Sequence, residues 1–121
     1  RIFAAVSHLP HVLAFTLVDL LAARPDAAEV FRYAASGFRD FTRIAAGSPE
    51  MWRDISLANR DALVRELDAY RAELDRVAAM VAASDGAGLE AVFARAAAAR
   101  REWGAQYDAG SALAADGPRE P

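Results

Sequence analysis

Apolar side chains recur along this chain at helical spacing, and nowhere in the two-residue alternation of a half-buried strand. This limits the fold more than any other feature. The clearest run is Leu63, Leu67, Tyr70, Leu74, Val77 and Val81, which steps alternately by four and three residues. Such a heptad seam is more regular than a helix with one buried face needs, so it requires a partner along its length. Asp61/Arg65, Arg71/Asp75 and Glu73/Arg76 stand at helix-neighbour spacing outside the seam and read as a solvated, weakly stabilised face. The fold class is all-α.

The same spacing organises the rest. Ile2, Phe3, Val6, Leu9, Leu13, Leu17, Leu20 and Leu21 define a first helix over residues 1 to about 23, apolar on most of its circumference. Pro10 should kink it and free backbone groups beside Ser7, His8 and His11. The most apolar part, residues 9–23, is interrupted by Pro10, His11, Thr16 and Asp19 and falls short of the ~20 residues a bilayer needs. It reads as a buried core helix, and no membrane partner is expected. Asp26, after Pro25, is placed to cap a second helix through about Ala34, broken by Ser36-Gly37. Phe38 to Ala45 reads as a short third helix ended by Gly47. Ser48 as N-cap and Pro49 at the first helical position then open a long helical stretch. Ser84-Asp85-Gly86-Ala87-Gly88 is the clearest turn signal, and Leu89, Val92, Phe93, Ala96, Trp103 and Tyr107 follow it on a last helix, which predicts an αα-hairpin. From Gly110 the composition is that of a tail.

With 121 residues the chain can bury one core, so a single helical domain over residues 1–109 with a tail over 110–121 is expected. A net charge of -3 opposes a role in neutralising nucleic-acid phosphates. There is no cysteine, which removes disulfides, thiolate metal sites and thiol nucleophiles, and the expected location is cytoplasmic. Arg1 leads into an amphipathic run without a cap or an initiator Met, as expected of a piece of something longer.

Two groups of residues could carry chemistry. His8 and His11 lie three apart, beside Ser7 and Pro10, so both can project from one side of the first helix. A metal site would need further ligands, and the nearest carboxylate, Asp19, is about two turns from His11. The remaining readings are core histidines whose ring nitrogens bond to backbone freed by the proline, or the lining of a substrate pocket. Arg39, Asp40 and Arg43 share one face among Phe38, Phe41 and Ile44. A guanidinium there needs a carboxylate, either that of Asp40 or that of an anionic ligand held by its planar fork. Trp52, one turn into the next helix, is more often core than site. No nucleophile–base pair and no Gly-rich phosphate loop is present.

SHLPH at residues 7–11 and SGFRDFTRIAAGSPEMWRDI from Ser36 onward resemble the C-terminal domain of the prephenate/arogenate dehydrogenase family of tyrosine biosynthesis, whose pattern is close to SHLPH…GF(K/R)DxTRIAxSxPxMW. The resemblance runs motif by motif from Ala5 to about Asn59 and covers the later helices only in general character. It implies a helical dimerisation domain, 6-phosphogluconate dehydrogenase C-terminal-like, following a Rossmann domain that is absent from this chain and holds NAD or NADP. It implies the oxidative decarboxylation of prephenate or arogenate, with the histidine that accepts the hydroxyl proton in the absent domain, so neither His8 nor His11 is the catalytic base. Carried over by position, Arg43 binds a substrate carboxylate, supported by Asp40 and Arg39. His8, less surely His11, and Ser7 line the substrate or effector pocket, with Trp52 packed nearby. Gly47-Ser48, where many members have two polar residues, is a small departure. The seam then serves a homodimer. Prephenate against arogenate, NAD against NADP, and tyrosine as an effector stay open. A helical module that senses an aromatic amino acid without catalysis is the rival reading. A third, a bundle binding metal or haem through the histidine pair, predicts stoichiometric metal, and none is expected.

Overall fold

The computed structural model describes residues 1–115, with side chains through residue 110. Every element among the described residues is helical, as the apolar spacing requires. The chain divides into two compact units, Arg1–Ala72 and the part from Glu73 onward.

The first unit begins with the consequence of Pro10. In an α-helix the N–H of residue 10 would bond to the Val6 carbonyl. Proline has no such donor, and its ring crowds that carbonyl. The backbone ahead widens into one π-helical turn, Ala4–His8, and the Leu9 N–H reaches back to the Ala4 carbonyl. Regular geometry resumes in α1, Leu9–Ala22. The stretch Ala4–Ala22 is long and apolar enough to cross a membrane by length and composition, which the shorter run read from the sequence was not. In this unit it is the element on which the others pack: α2 (Ala27–Arg32), α3 (Ser36–Thr42) and a 3-10 turn (Arg43–Ala46) all lie against α1. Its apolar circumference is covered on one side only. Ala4 and Ala14 are buried, but Ile2, Phe3, Val6 and Leu20 are exposed, so the expected all-round core helix is not what forms.

Local chemistry sets the other boundaries. Asp26 precedes α2 as expected, yet its carboxylate does not cap it. Instead it accepts two bonds from Arg24, at 2.8 and 3.0 Å. That hydrogen bonding holds the Asp26 carboxyl below its ordinary range and raises the Arg24 guanidinium. Ser36 and Gly37 do not break a helix; they open α3, behind an extended Ala35. The Thr42 hydroxyl donates to the Phe38 carbonyl at 2.6 Å, a back-bond that competes with the α ladder, and the chain tightens into the 3-10 turn at Arg43. Ser48 caps α4, Pro49–Ala58, by accepting from the Met51 N–H at 3.3 Å, with Pro49 in the first turn. The long helical stretch expected from there is interrupted at Asn59, and α5 runs over Arg60–Ala82. Leu63, early in α5, is the one large side chain buried among the described residues.

The second unit holds the end of α5 and helix α6, Gly86–Ala115. The chain leaves α5 through Ser84, at φ 54°. The Asp85 N–H bonds to the Met80 carbonyl and the Ser84 N–H to the Val81 carbonyl, which closes the helix end in a Schellman arrangement. Asp85 then caps α6, its carboxylate accepting from the Gly88 N–H at 2.9 Å. The turn is where the sequence places it, but the glycines lie inside α6 and none has positive φ. Residues 73–82 and α6 do not pack along one another, so the turn does not produce the expected packed hairpin. Residues 110–115 of the expected tail are helical, and residues 116–121 lie outside the described residues. Of the expected ion pairs Glu73–Arg76 forms, at 2.8 Å, whereas Arg71 pairs with Asp68 rather than Asp75.

The turn makes a testable expectation. An L-residue in the left-handed region costs about 1–2 kcal/mol, partly offset when glycine replaces it by the entropy glycine loses on folding. Ser84→Gly should therefore stabilise by about 0.5–1 kcal/mol, and Asp85→Ala should destabilise by about 1 kcal/mol through the lost cap. Urea unfolding of the full-length protein checks both, and equal midpoints for Ser84→Gly and the parent would contradict the first.

Candidate binding site

Trp52 organises the site in the first unit. It stands one turn into α4, placed there by the Ser48 cap and Pro49, and two histidines from the start of α1 meet it. The His11 ring stacks on the indole, with centroids 3.7 Å apart and planes at 18°. His8 meets the indole edge-on, at 6.4 Å and 74°. Gly47 completes the packing from below Trp52. A Cβ at that position would stand 3.1 Å from the indole Nε1, so any side chain there would push the ring. The polar-to-glycine departure in the sequence thus has a structural use.

Hydrogen bonds fix complementary faces on the two imidazoles. His11 Nδ1 lies 2.8 Å from the Ser7 carbonyl, which can only accept. In the neutral ring the proton is therefore on Nδ1, and Nε2 is left as an acceptor. His8 Nδ1 lies 3.4 Å from the Asn59 amide nitrogen, which can only donate. With the amide in that orientation the neutral ring carries its proton on Nε2, which is left as a donor. The backbone bond of His11 is the one expected of a histidine beside a proline, and Ser7 takes part through its carbonyl.

Arg39, Asp40 and Arg43 are exposed, and among the described residues none of them is in an ion pair. The pairing of Arg43 with Asp40 that local sequence allowed does not form; Asp40 lies in α3 and Arg43 begins the 3-10 turn. That turn packs on α1, four residues before the Gly47 that packs on Trp52. The structure thus brings His8 and His11 against Trp52 and leaves Arg43 without an ion-pair partner among the described residues. Among the described residues no side-chain hydrogen bond or ion pair joins Arg39 or Asp40 to that cluster. Beside Trp52, an open apolar groove of about 330 Å³ runs between α1 and α4, lined by Val12, Phe15, Pro49 and Trp52 with Arg53 at its rim.

A family model for the dimerization domain of prephenate dehydrogenase matches residues 1–95. The chain belongs to the prephenate dehydrogenase family. It is 39% identical over 88 residues to the cyclohexadienyl dehydrogenase of Zymomonas mobilis, an alignment covering 71% of this chain and 30% of that protein. Among solved structures it resembles the arogenate dehydrogenase of Synechocystis, with TM-score 0.78 and 27% identity over 84% of this chain and 37% of the other. It resembles equally the prephenate dehydrogenase of A. aeolicus crystallised with hydroxyphenyl propionate and NAD+, with TM-score 0.76 and 35% identity over 84% of this chain and 36% of the other. The chain thus spans about a third of the length of the proteins it matches. Every site residue read from the sequence falls inside the segment matched to the prephenate dehydrogenase family. The helical fold expected from the resemblance is the one observed.

Asn59 is the residue that sequence reasoning missed. A polar amide, poor in helix interiors, interrupts an otherwise continuous helical pattern there, and that was the available signal.

Proposed function

We propose that this chain is the substrate-holding and dimerising part of an enzyme that oxidatively decarboxylates prephenate or arogenate with NAD or NADP. The observation that carries the reading is Arg43, an exposed guanidinium without a carboxylate partner among the described residues, on a turn packed against the helix that bears His8 and His11. Its planar fork suits a substrate carboxylate. The Nε2 proton of His8 is available to a substrate oxygen, and the Nε2 lone pair of His11 to a hydroxyl or ammonium group. Trp52 holds both rings in place. Residues 1–109 form the working part in this reading, with Arg39 and Asp40 tuning the field around Arg43.

In this reading the dinucleotide is held outside the described residues. At the N-terminus of α6 the Gly88 N–H is already taken by the Asp85 carboxylate, whose charge opposes a phosphate. Hydride acceptance and removal of the hydroxyl proton belong, in this reading, to another part of the protein, and this chain binds and orients. The reaction class is one in which a ring carbon loses hydride, its hydroxyl loses a proton and carbon dioxide leaves as the ring becomes aromatic.

Leu74, Tyr70 and Val81 of the heptad seam are exposed, which supports a second copy as the partner. Sedimentation of the full-length protein should give twice the protomer mass at micromolar concentration, and a strict monomer would refute the dimer. The function is tested by assaying the full-length protein on prephenate and arogenate with NAD and with NADP. Turnover of at least one combination is expected, and the preferred pair fixes substrate and cofactor. Inactivity on all four refutes the reading.

A further inference from the structure

The side chain of Asn59 is not needed by the two helices it joins. Its N–H donates to the Ile55 carbonyl at 3.3 Å and its carbonyl accepts from the Leu63 N–H at 3.0 Å, so both backbone groups are satisfied across the junction of α4 and α5. The backbone nevertheless leaves helical geometry there, at φ -118° and ψ 36°. Among the described residues the one hydrogen bond of its amide is to the His8 ring, 51 positions away, and both side chains are half-buried. His11 obtains its tautomer locally, from the Ser7 carbonyl four residues back. The carbonyl in the same place behind His8 is that of Ala4, which the π-helical turn engages with the Leu9 N–H. A carbonyl partner for His8 would put its proton on Nδ1 and leave two acceptors at Nε2, one on each ring. The donor from the α4–α5 junction makes the two rings different.

We propose that Asn59 is a positioning residue for ligand recognition: by donating to His8 Nδ1 it keeps the His8 proton on Nε2, so that the group His8 holds is an oxygen that accepts a hydrogen bond. A hydroxyl, keto or carboxylate oxygen meets that requirement, and an ammonium does not, because it has no lone pair to offer. This rests on the substrate-holding reading above. Trp52 fixes where the two rings lie, but packing against an indole does not choose a tautomer, so the amide supplies what the aromatic contacts cannot. The residue type matters for the same reason. A carboxylate at position 59 can only accept, which draws the proton to Nδ1 and turns Nε2 from donor into acceptor. An aliphatic side chain there leaves both tautomers open.

The test reads the tautomer first. Nitrogen magnetic resonance of the full-length protein with isotopically labelled histidine, in mildly alkaline solution where imidazole is neutral, should show His8 with a protonated Nε2 and a bare Nδ1. Its signals are identified by their loss in His8→Gln. A proton on Nδ1 means that the amide presents its oxygen to the ring, and overturns the inference. Asn59→Asp, equal in shape, should move the proton to Nδ1 and raise substrate KM by roughly 10- to 100-fold with kcat within a few-fold. Asn59→Leu removes the donor without reversing it and should raise KM less. A purely structural role gives the opposite order, because leucine is the greater change at a polar helix junction. An aspartate variant that binds substrate as the parent does overturns the positioning role and spares the substrate-holding reading. A parent that turns over neither prephenate nor arogenate overturns both. If a variant fails to fold, the tautomer of the parent decides.

Discussion

On the proposed function, Arg43→Ala in the full-length protein should raise KM for prephenate or arogenate by roughly 30- to 1000-fold while leaving kcat within a few-fold. Arg43 is on the surface of the first unit and no carboxylate among the described residues satisfies it. Its removal therefore leaves no buried charge behind, and the fold should survive with an unchanged melting temperature. The split between the two kinetic constants carries the information. A carboxylate on the substrate's side chain is the same before and after reaction, so an arginine holding it binds ground state and transition state alike and appears in KM. An arginine holding the carboxylate that departs as carbon dioxide loses its partner along the reaction path and would appear in kcat as well. Arg43→Lys should recover only part of the affinity, because an ammonium cannot present the two parallel donors of a guanidinium. An unchanged KM in the alanine variant removes Arg43 from the site.

The helices were legible wherever one periodicity ran uninterrupted. The seam from Leu63 to Val81 falls within α5, and the cap at Ser48 with Pro49 stands where the sequence puts it. Side chains with two possible partners were not legible. Asp26 follows a proline and precedes a helix, the position of a capping carboxylate, but Arg24 two residues earlier supplies a bidentate charge-assisted bond that a backbone N–H cannot match. Gly86 and Gly88 read as turn residues because glycine alone enters the left-handed region without cost. The chain instead places Ser84 there and uses the bare backbone at Gly88 for a different need, since a Cβ at Gly88 would collide with the Asp85 carboxylate that caps the helix. The packed hairpin failed for a related reason: turn chemistry fixes a change of direction, whereas packing of the following helix depends on which face meets what.

The site divides in the same way. The expectation that a histidine beside Pro10 would bond to backbone held for His11, although the carbonyl it meets is that of Ser7 and not the Val6 carbonyl that the proline leaves without a donor. The stacking of His11 on Trp52 joins residues 41 positions apart and is not a local property. Arg43 is the instructive case. At three residues from Asp40 it should pair on helix geometry, yet no ion pair joins the two, and Arg43 instead begins the 3-10 turn.

Trp52→Ala should destabilise the protein by about 2–4 kcal/mol, below the full cost for a wholly buried aromatic because the indole is only partly buried. It should also weaken substrate binding through residues it leaves chemically intact. Without the indole face, His11 keeps its bond to the Ser7 carbonyl but loses the plane that fixes its ring, and His8 is held by the single long bond from Asn59 alone. Stability and KM should therefore change together, in contrast to Arg43→Ala, where KM moves and stability does not. Trp52→Phe separates the two effects, since a smaller ring still fills part of the space and still stacks. Gly47→Ala approaches the same ring from the other side: the added methyl meets Nε1 at 3.1 Å, so the indole must shift by a few tenths of an ångström and carry both histidines with it. Chemical unfolding and steady-state kinetics on the three variants should rank them, in loss of stability and in KM, as alanine at 52 worst, phenylalanine intermediate and alanine at 47 mildest. A Trp52→Ala protein that melts several degrees lower yet binds substrate as the parent does would show that the tryptophan supports the fold and not the histidines.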